Sequence, residues 1–468
     1  MHSKKISSPS CPEAKFLDVC GTYADVPGTS CLTKKTISGS INKMMSSSTP
    51  QYGLTWLDIP EMSDQADAGH TLIKNTSKSY FSGGKETEHI FIEGDNYPAM
   101  KCLLPEWRGK ISLIYTDPPY NTGSCTFTYE DSRFLRQLPD GTHAGKNDPV
   151  RHSIWLSFMQ HRLALARELL ADSGCIFISI SDEEYCRLRL LCDGIFGEDN
   201  YINDFMYLHG KGKKDRWSRT MEQHTICYAK NKKQLAEFAV AEKTDWAVAN
   251  ADDDERGPWF SGSISFNEKR SNPKHPNYFT IVAPSGKKWT RQWMCSREEM
   301  DELIEEKRIY WGTGPAYDGV PRKKIFNGEQ SLIIPRNIID CADSTRGAQR
   351  HLDDILGAKN VFVNPKPVNL VEHLLAMTQM SGDAVVLDFF AGSGTTLEAV
   401  LRMNERDGGT RRCILIQSPE KVSGSGFRTI ADIAYERIRR IMAGYTDGCG
   451  KHIGGLGGSL AYYILVNQ

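Results

Sequence analysis

The 468-residue chain has the composition of an ordinary globular protein, with 25% charged and 40% hydrophobic residues. Its formal net charge of -1 excludes a global field that attracts nucleic acid, so any such contact must come from local basic patches. Thirteen cysteines with no Cys-x-x-Cys pair exclude a secreted disulfide scaffold and a thiolate zinc site; they point to reduced thiols in a cytoplasmic setting.

Residues 1–50 are rich in Ser and Thr and lack the apolar core of a signal peptide; they read as a disordered or over-long N-terminal extension. No apolar run in the chain is long enough to span a membrane. Order is expected from about Tyr52. His89–Ile92 reads as a strand ending at Glu93-Gly94-Asp95-Asn96, where Asp95 is either an acceptor for an adenine amino group or ribose hydroxyls, or part of a plain turn. Pro98–Leu104 reads as a short helix.

The apolar run Ile111–Thr116 reads as a buried strand and ends at Asp117-Pro118-Pro119-Tyr120. Two prolines carry no N–H for a ladder, so the strand stops there. A carboxylate, rigid carbonyls and an aromatic ring are left at its carboxyl end, the edge where open α/β sheets bind ligands. Such a set can hold a planar, amino-bearing ring: Tyr120 stacks on it, while Asp117 and the Pro118 carbonyl accept its N–H bonds. The alternative is a simple Pro-Pro turn. Thr122–Pro149 is polar and aperiodic, as expected of a mobile loop over the site.

Apolar residues from Trp155 to Leu170 fall at helical spacing, with Gly174 as the stop. Cys175–Ile180 reads as a strand, followed by a capped helix from Ser181 towards Gly197. Strand and helix in alternation imply a parallel, doubly wound sheet. The basic runs Lys211–Arg219 and Arg322-Lys323-Lys324 are candidate phosphate contacts, or simply solvated surface. Residues 232–343 read as a mostly irregular α+β insert. Sheet pattern resumes with an apolar helix at Leu370–Met380 and a strand at Ala384–Phe390. A helix from Leu397, a strand at Cys413–Gln417 and a helix at Phe427–Ala443 follow.

The strand at Ala384–Phe390 carries Asp388-Phe389-Phe390-Ala391-Gly392-Ser393-Gly394-Thr395 into a helix. Glycines let a ligand approach the backbone, and the helix offers free N–H groups at its start. No Lys follows the second Gly, which excludes a P-loop. The acid before the turn suits a ligand with an ammonium group, such as the methionyl tail of S-adenosylmethionine; the alternative is a tight turn with small residues for packing. Ahead of it, Asn364 and Lys366 in Phe362–Pro367 are placed to meet a ligand carboxylate, the alternative being a solvated lysine in a Pro-rich loop. No cluster suggests a metal.

Taken together, Gly-Asp-Asn, Asp-Pro-Pro-Tyr-Asn-Thr-Gly, Asn-Pro-Lys-Pro and Phe-Ala-Gly-Ser-Gly-Thr-Thr, in this order, resemble the beta-class amino-methyltransferases of DNA. The modification subunit of type III restriction–modification systems is the nearest look. The resemblance implies a class I S-adenosylmethionine-dependent methyltransferase fold, Rossmann-like and circularly permuted. A catalytic half at 51–231 is then followed by an inserted target-recognition region at 232–343 and a cofactor-binding half at 344–468. It implies that Asp117, Pro118, Pro119 and Tyr120 hold a flipped adenine. Asp95, Asn364, Lys366 and Asp388–Thr395 would line the S-adenosyl-L-methionine site. It further implies double-stranded DNA as substrate, a homodimer, and a helicase–nuclease restriction subunit as partner. The acid often found after the second cofactor strand is replaced by Gln417, with Glu420 as candidate substitute. Asp first in the tetrapeptide favours adenine N6; cytosine N4 and a protein amide nitrogen remain as alternatives.

Overall fold

The computed structural model describes residues 54–467 apart from short internal stretches, the longest being 82–87, 124–130, 209–216 and 242–253. All described residues belong to one compact unit, Leu54–Gln468. The N-terminal extension and the Lys211–Arg216 run lie outside them.

In chain order the main elements are β1 (His70–Lys74), β2 (Glu88–Glu93), α1 (Asn96–Trp107), β3 (Ile111–Thr116), α2 (Ser153–Leu169), β4 (Leu170–Ile180) and α3 (Asp182–Phe196). β5 (Met206–Leu208), β6 (Glu222–Ala229), β7 (Ile338–Ile339), α4 (Thr345–Leu356) and α5 (Val368–Met377) follow. The chain closes with β8 (Val385–Asp388), α6 (Thr395–Asp407), β9 (Arg412–Gln417), α7 (Ile430–Ala443) and β10 (Ser459–Asn467). The strands form one sheet in the order β1-β10-β2-β9-β8-β3-β4-β6-β5-β7. From β10 to β4 every pairing is parallel, whereas β6 runs antiparallel to β4.

Side-chain alternation sorts the core into two layers. Leu113, Tyr115, Phe177 and Val386 face a cluster built on α4 to α7. Ile114, Ile176, Ile178 and Leu387 face the other cluster, built on α1, α2 and α3. This is the doubly wound class I methyltransferase sheet.

Two local expectations shift. Helix α2 ends at Leu169 with Leu170 already extended, five residues before Gly174. Gly174 instead lies inside β4 near the register shift opposite Ile111–Leu113; a Cβ there would sit 2.9 Å from the Ser112 carbonyl oxygen. The glycine serves close strand approach rather than helix termination. The early helix is also longer than Pro98–Leu104, because Asp95 caps it and the backbone continues through Pro105 to Trp107.

Between β6 and β7 a hairpin (Tyr278–Val282 with Lys288–Gln292), a three-stranded sheet and the helix Arg297–Glu305 surround a small core of Ile264, Ile281, Trp293, Met300 and Ile309. The sheet's last strand, β7, comes from the end of this segment and pairs in parallel with β5.

Candidate active site

Strands β8 and β3 are neighbours, with Val386 opposite Leu113 and Leu387 opposite Ile114. The chain leaves β8 towards β9 on one side and β3 towards β4 on the other, so their carboxyl ends open a crevice at the topological switch point. That brings the Asp117 segment against the glycine turn. A cavity of about 480 Å³ lies there. Its wall includes Asp117, Pro119 and every candidate cofactor residue except Gly394.

Asp117 and Tyr120 form a pair, the Tyr120 hydroxyl donating to Asp117 Oδ1 at 2.7 Å. Lys366 completes it: its Nζ lies 2.8 and 2.7 Å from the two Asp117 oxygens and 2.8 Å from the Tyr120 hydroxyl. The lysine was expected to meet a ligand carboxylate; here its ammonium meets the protein's own, 249 residues away in the chain. Pro118 is buried, and the Pro119 carbonyl accepts from Trp155 Nε1 at 2.8 Å.

The loop after Tyr120 is held from within. Asp131 is buried, and its carboxylate accepts the N–H groups of Tyr120, Asn121 and Thr122 at 3.0, 3.1 and 2.7 Å. Asn121, left-handed at φ 59°, donates to buried Glu184 at 2.6 Å. The part of Thr122–Pro149 around Asp131 is therefore pinned; residues 124–130 lie outside the described ones.

In the glycine turn, Gly392 and Gly394 take φ of 54° and 80°, which favours glycine at both. Gly392 faces the cavity, and its N–H donates to Gln417 Oε1 at 2.7 Å. Gln417 thus braces the turn, while Glu420 lies on the cavity wall. Gly394 points the other way: a Cβ on it would meet Ile438 at 3.3 Å, so it serves packing against α7. Asp388 is buried, accepting from Phe390 N at 3.0 Å and Thr396 Oγ1 at 2.5 Å. Burial pushes its carboxyl up to about 7, and the nearby Asp117 charge adds to the rise. A buried acid so poised fits a cationic group arriving in the cavity.

Phe389 is buried, and its carbonyl accepts from Asn96 Nδ2 at 2.8 Å. The Phe390 ring packs against Phe158. Asn364 is left-handed at φ 56° on the cavity wall. Asp95 caps α1 by accepting from Tyr97 N at 2.8 Å, with Arg162 Nη2 3.3 Å away. Its sequence reading as a ligand acceptor or a plain turn gains a third part, a helix cap on the cavity wall.

Arg437 escaped the sequence reading. It is buried on α7, and its Nη1 donates to Ser393 Oγ and Thr395 Oγ1, both at 2.8 Å. Its Nη2 donates to buried Glu398 at 2.8 Å. Burial alone would raise the Glu398 carboxyl, but Arg437, His351 and Arg402 outweigh it and hold the group well below the usual range. The signal was present: Arg437 stands three residues after Ala434 and four before Ile441, a charge in an apolar helical stripe.

The Arg322–Lys324 run is not a free basic patch. Its strand pairs with Trp259–Ser263, Lys324 is buried against Asp254 at 2.7 Å, and Arg322 donates to the Ser261 carbonyl. Strand alternation turns Lys324 inward. Of the run only Arg322 is exposed; other exposed cations of the insert include Lys269, Arg270, Lys274, Lys287 and Lys288.

Residues 111–423 match the N6/N4 DNA methylase family. The chain belongs to that family. The chain is 31% identical over 461 residues to the EcoPI Mod subunit of a type III restriction-modification enzyme from Escherichia phage P1, covering 84% of the chain and 69% of that subunit. It is 30% identical over 394 residues to the StyLTI Mod subunit from Salmonella typhimurium, covering 80% of the chain but only 60% of the relative's length. Among solved structures, the DNA modification methylase TTHA0409 from Thermus thermophilus aligns at 14% identity with a TM-score of 0.37, over 80% of this chain and 99% of that one.

Proposed function

We propose that this methylase transfers a methyl group from S-adenosylmethionine to N6 of adenine in double-stranded DNA, as the modification subunit of a type III restriction–modification system. The observation that carries the reading is the juxtaposition of Asp117 and Tyr120 with the glycine turn across β3 and β8. Two named type III Mod subunits among the relatives support the system, and Asp rather than Ser at position 117 supports adenine over cytosine.

The cavity residues fit the cofactor. Buried Asp388, poised near neutrality, suits its ammonium; Gly392, without a side chain, leaves room beside the backbone; Glu420 and Asp95, on the cavity wall, offer acceptors for hydroxyl and amino donors. S-adenosylmethionine, when bound, supplies an electrophilic methyl group.

Adenine N6 is a poor nucleophile, because its lone pair is delocalised into the ring. Asp117 and the Pro118 carbonyl, by accepting its two N–H bonds, favour a pyramidal nitrogen with the lone pair free for in-line attack. Tyr120 offsets part of the unstacking penalty of the extruded base. The methyl carbon would bond to N6 as its bond to sulfur breaks; one N6 proton then becomes surplus, and the Asp117 carboxylate is a base that can take it.

Mass spectrometry of nucleosides from host DNA, after expression in a strain without adenine methylation, tests the reading. N6-methyladenine is expected, and sequencing of modified bases then yields the recognition motif. N4-methylcytosine alone would move the assignment to cytosine; unmodified DNA from a folded, cofactor-binding preparation would overturn it.

The poise of Asp388 sets a pH dependence. Below about 7 the carboxyl is protonated and loses its attraction for an ammonium, so cofactor affinity rises with pH through that value. Above about 8 the cofactor's own α-amino group loses its charge and affinity falls again. Calorimetric titrations from pH 6 to 9 should trace this bell for the native protein. Asp388→Asn should bind more weakly and lose the acid limb; an unchanged acid limb in that variant would assign the titration to another group.

A further inference from the structure

We infer that Lys366 is a placeholder for the target amino group: its ammonium fills the acceptor site of Asp117 and Tyr120 until an extruded base displaces it. The inference rests on the methyltransferase reading and concerns how the base reaches its site.

The Lys366 ammonium has three N–H donors, and the Asp117–Tyr120 pair takes all three through Asp117 Oδ1, Asp117 Oδ2 and the Tyr120 hydroxyl oxygen. With Tyr120 also donating to it, Asp117 Oδ1 has both lone pairs engaged. Nζ also stands 5.0 Å from the centre of the Tyr120 ring, at its hydroxyl edge. The side chain is 11% exposed, so this is a built contact rather than a surface excursion.

The target amino group and the Lys366 ammonium compete for the Asp117 carboxylate. They also cannot share the site during transfer: N6 gains positive charge as it bonds to the methyl carbon, and an adjacent ammonium opposes that charge. Lys366 must therefore leave Asp117 before reaction. The geometry allows the departure. The Lys366 carbonyl accepts from Thr395 Oγ1 at 3.4 Å, tying its backbone to the head of α6, while the four-carbon stem leaves the ammonium free to swing. Until then the lysine keeps a buried-edge carboxylate paired and ordered, so an empty site does not collapse onto Asp117.

The test uses the full-length protein and a duplex carrying the mapped recognition sequence, with 2-aminopurine beside the target adenine. Its fluorescence rises when that adenine leaves the stack. Lys366→Met, which removes donors and charge but keeps length, is expected to raise the signal of the complex by several-fold, up to about tenfold. Lys366→Arg should stay at or below the native level, and cofactor Kd should remain within about twofold in both. Should Lys366→Met fail to fold, Lys366→Gln carries the same expectation with a smaller rise.

A signal no higher than native in the neutral variants overturns the inference. So does a cofactor Kd weakened more than about tenfold, which would make Lys366 the cofactor ligand first expected from the sequence. A native protein that leaves DNA unmethylated would instead sink the methyltransferase reading itself, so the two failures are distinguishable.

Discussion

Asp117→Ala is expected to bind S-adenosylmethionine normally and to methylate DNA at least about a thousand-fold more slowly. On the proposed mechanism, the variant removes the acceptor that reshapes the target nitrogen and the base that takes its proton, and both act in the transition state. In the same proposal, ground-state binding of the cofactor falls to other cavity residues, Asp388 and the turn at Gly392. The Asp117 charge helps to raise the Asp388 carboxyl, so its removal favours the ionised form of Asp388 and, if anything, tightens cofactor binding. Radiolabelled methyl transfer under single-turnover conditions, with calorimetry for the cofactor, separates the two effects. A rate within tenfold of native would remove Asp117 from the chemistry.

The second large effect is on stability. Arg437→Met should lower unfolding free energy by at most about 3–5 kcal/mol, because it removes the main partner of buried Glu398 and leaves its Oε1 to His351 and Arg402. It should also weaken cofactor binding, since the same guanidinium holds Ser393 and Thr395 in the glycine turn. Urea melts and calorimetry measure the two consequences. The double variant Arg437→Met/Glu398→Leu removes the orphaned charge, so it should recover part of the stability without recovering affinity. Full recovery of both would reduce Arg437 to a structural ion pair. Glu398 also sets an acid limit: its folded pKa is depressed, so its stabilisation is complete above its unfolded pKa. That stabilisation is lost as pH falls through the lower folded value.

Strands were easy to read where burial on both faces makes a continuous apolar run, as in Ile111–Thr116, and where prolines or glycines end it. Their bounds moved by a few residues where a cap or a close approach intervened, as at Asp95 and Gly174. The glycine turn was legible because positive φ restricts residue choice locally. Partnerships between distant side chains were not. Lys366 looked like a solvated or ligand-facing lysine in a Pro-rich loop, and nothing near it in sequence signals that Asp117 waits at hydrogen-bond distance. Gln417 looked like a missing acid, yet it holds the Gly392 N–H. Arg322–Lys324 looked like a phosphate patch, but strand pairing turned Lys324 into the insert against Asp254.

The order of motifs along the chain was enough to establish the permuted methyltransferase sheet, since local chemistry at strand ends is written in consecutive residues. It left open which of those residues meet. Strand order decided that: by placing β8 beside β3, folding joined an acid and a lysine 249 residues apart into one ion pair at the site, because hydrogen bonds depend on distance in space and not along the chain.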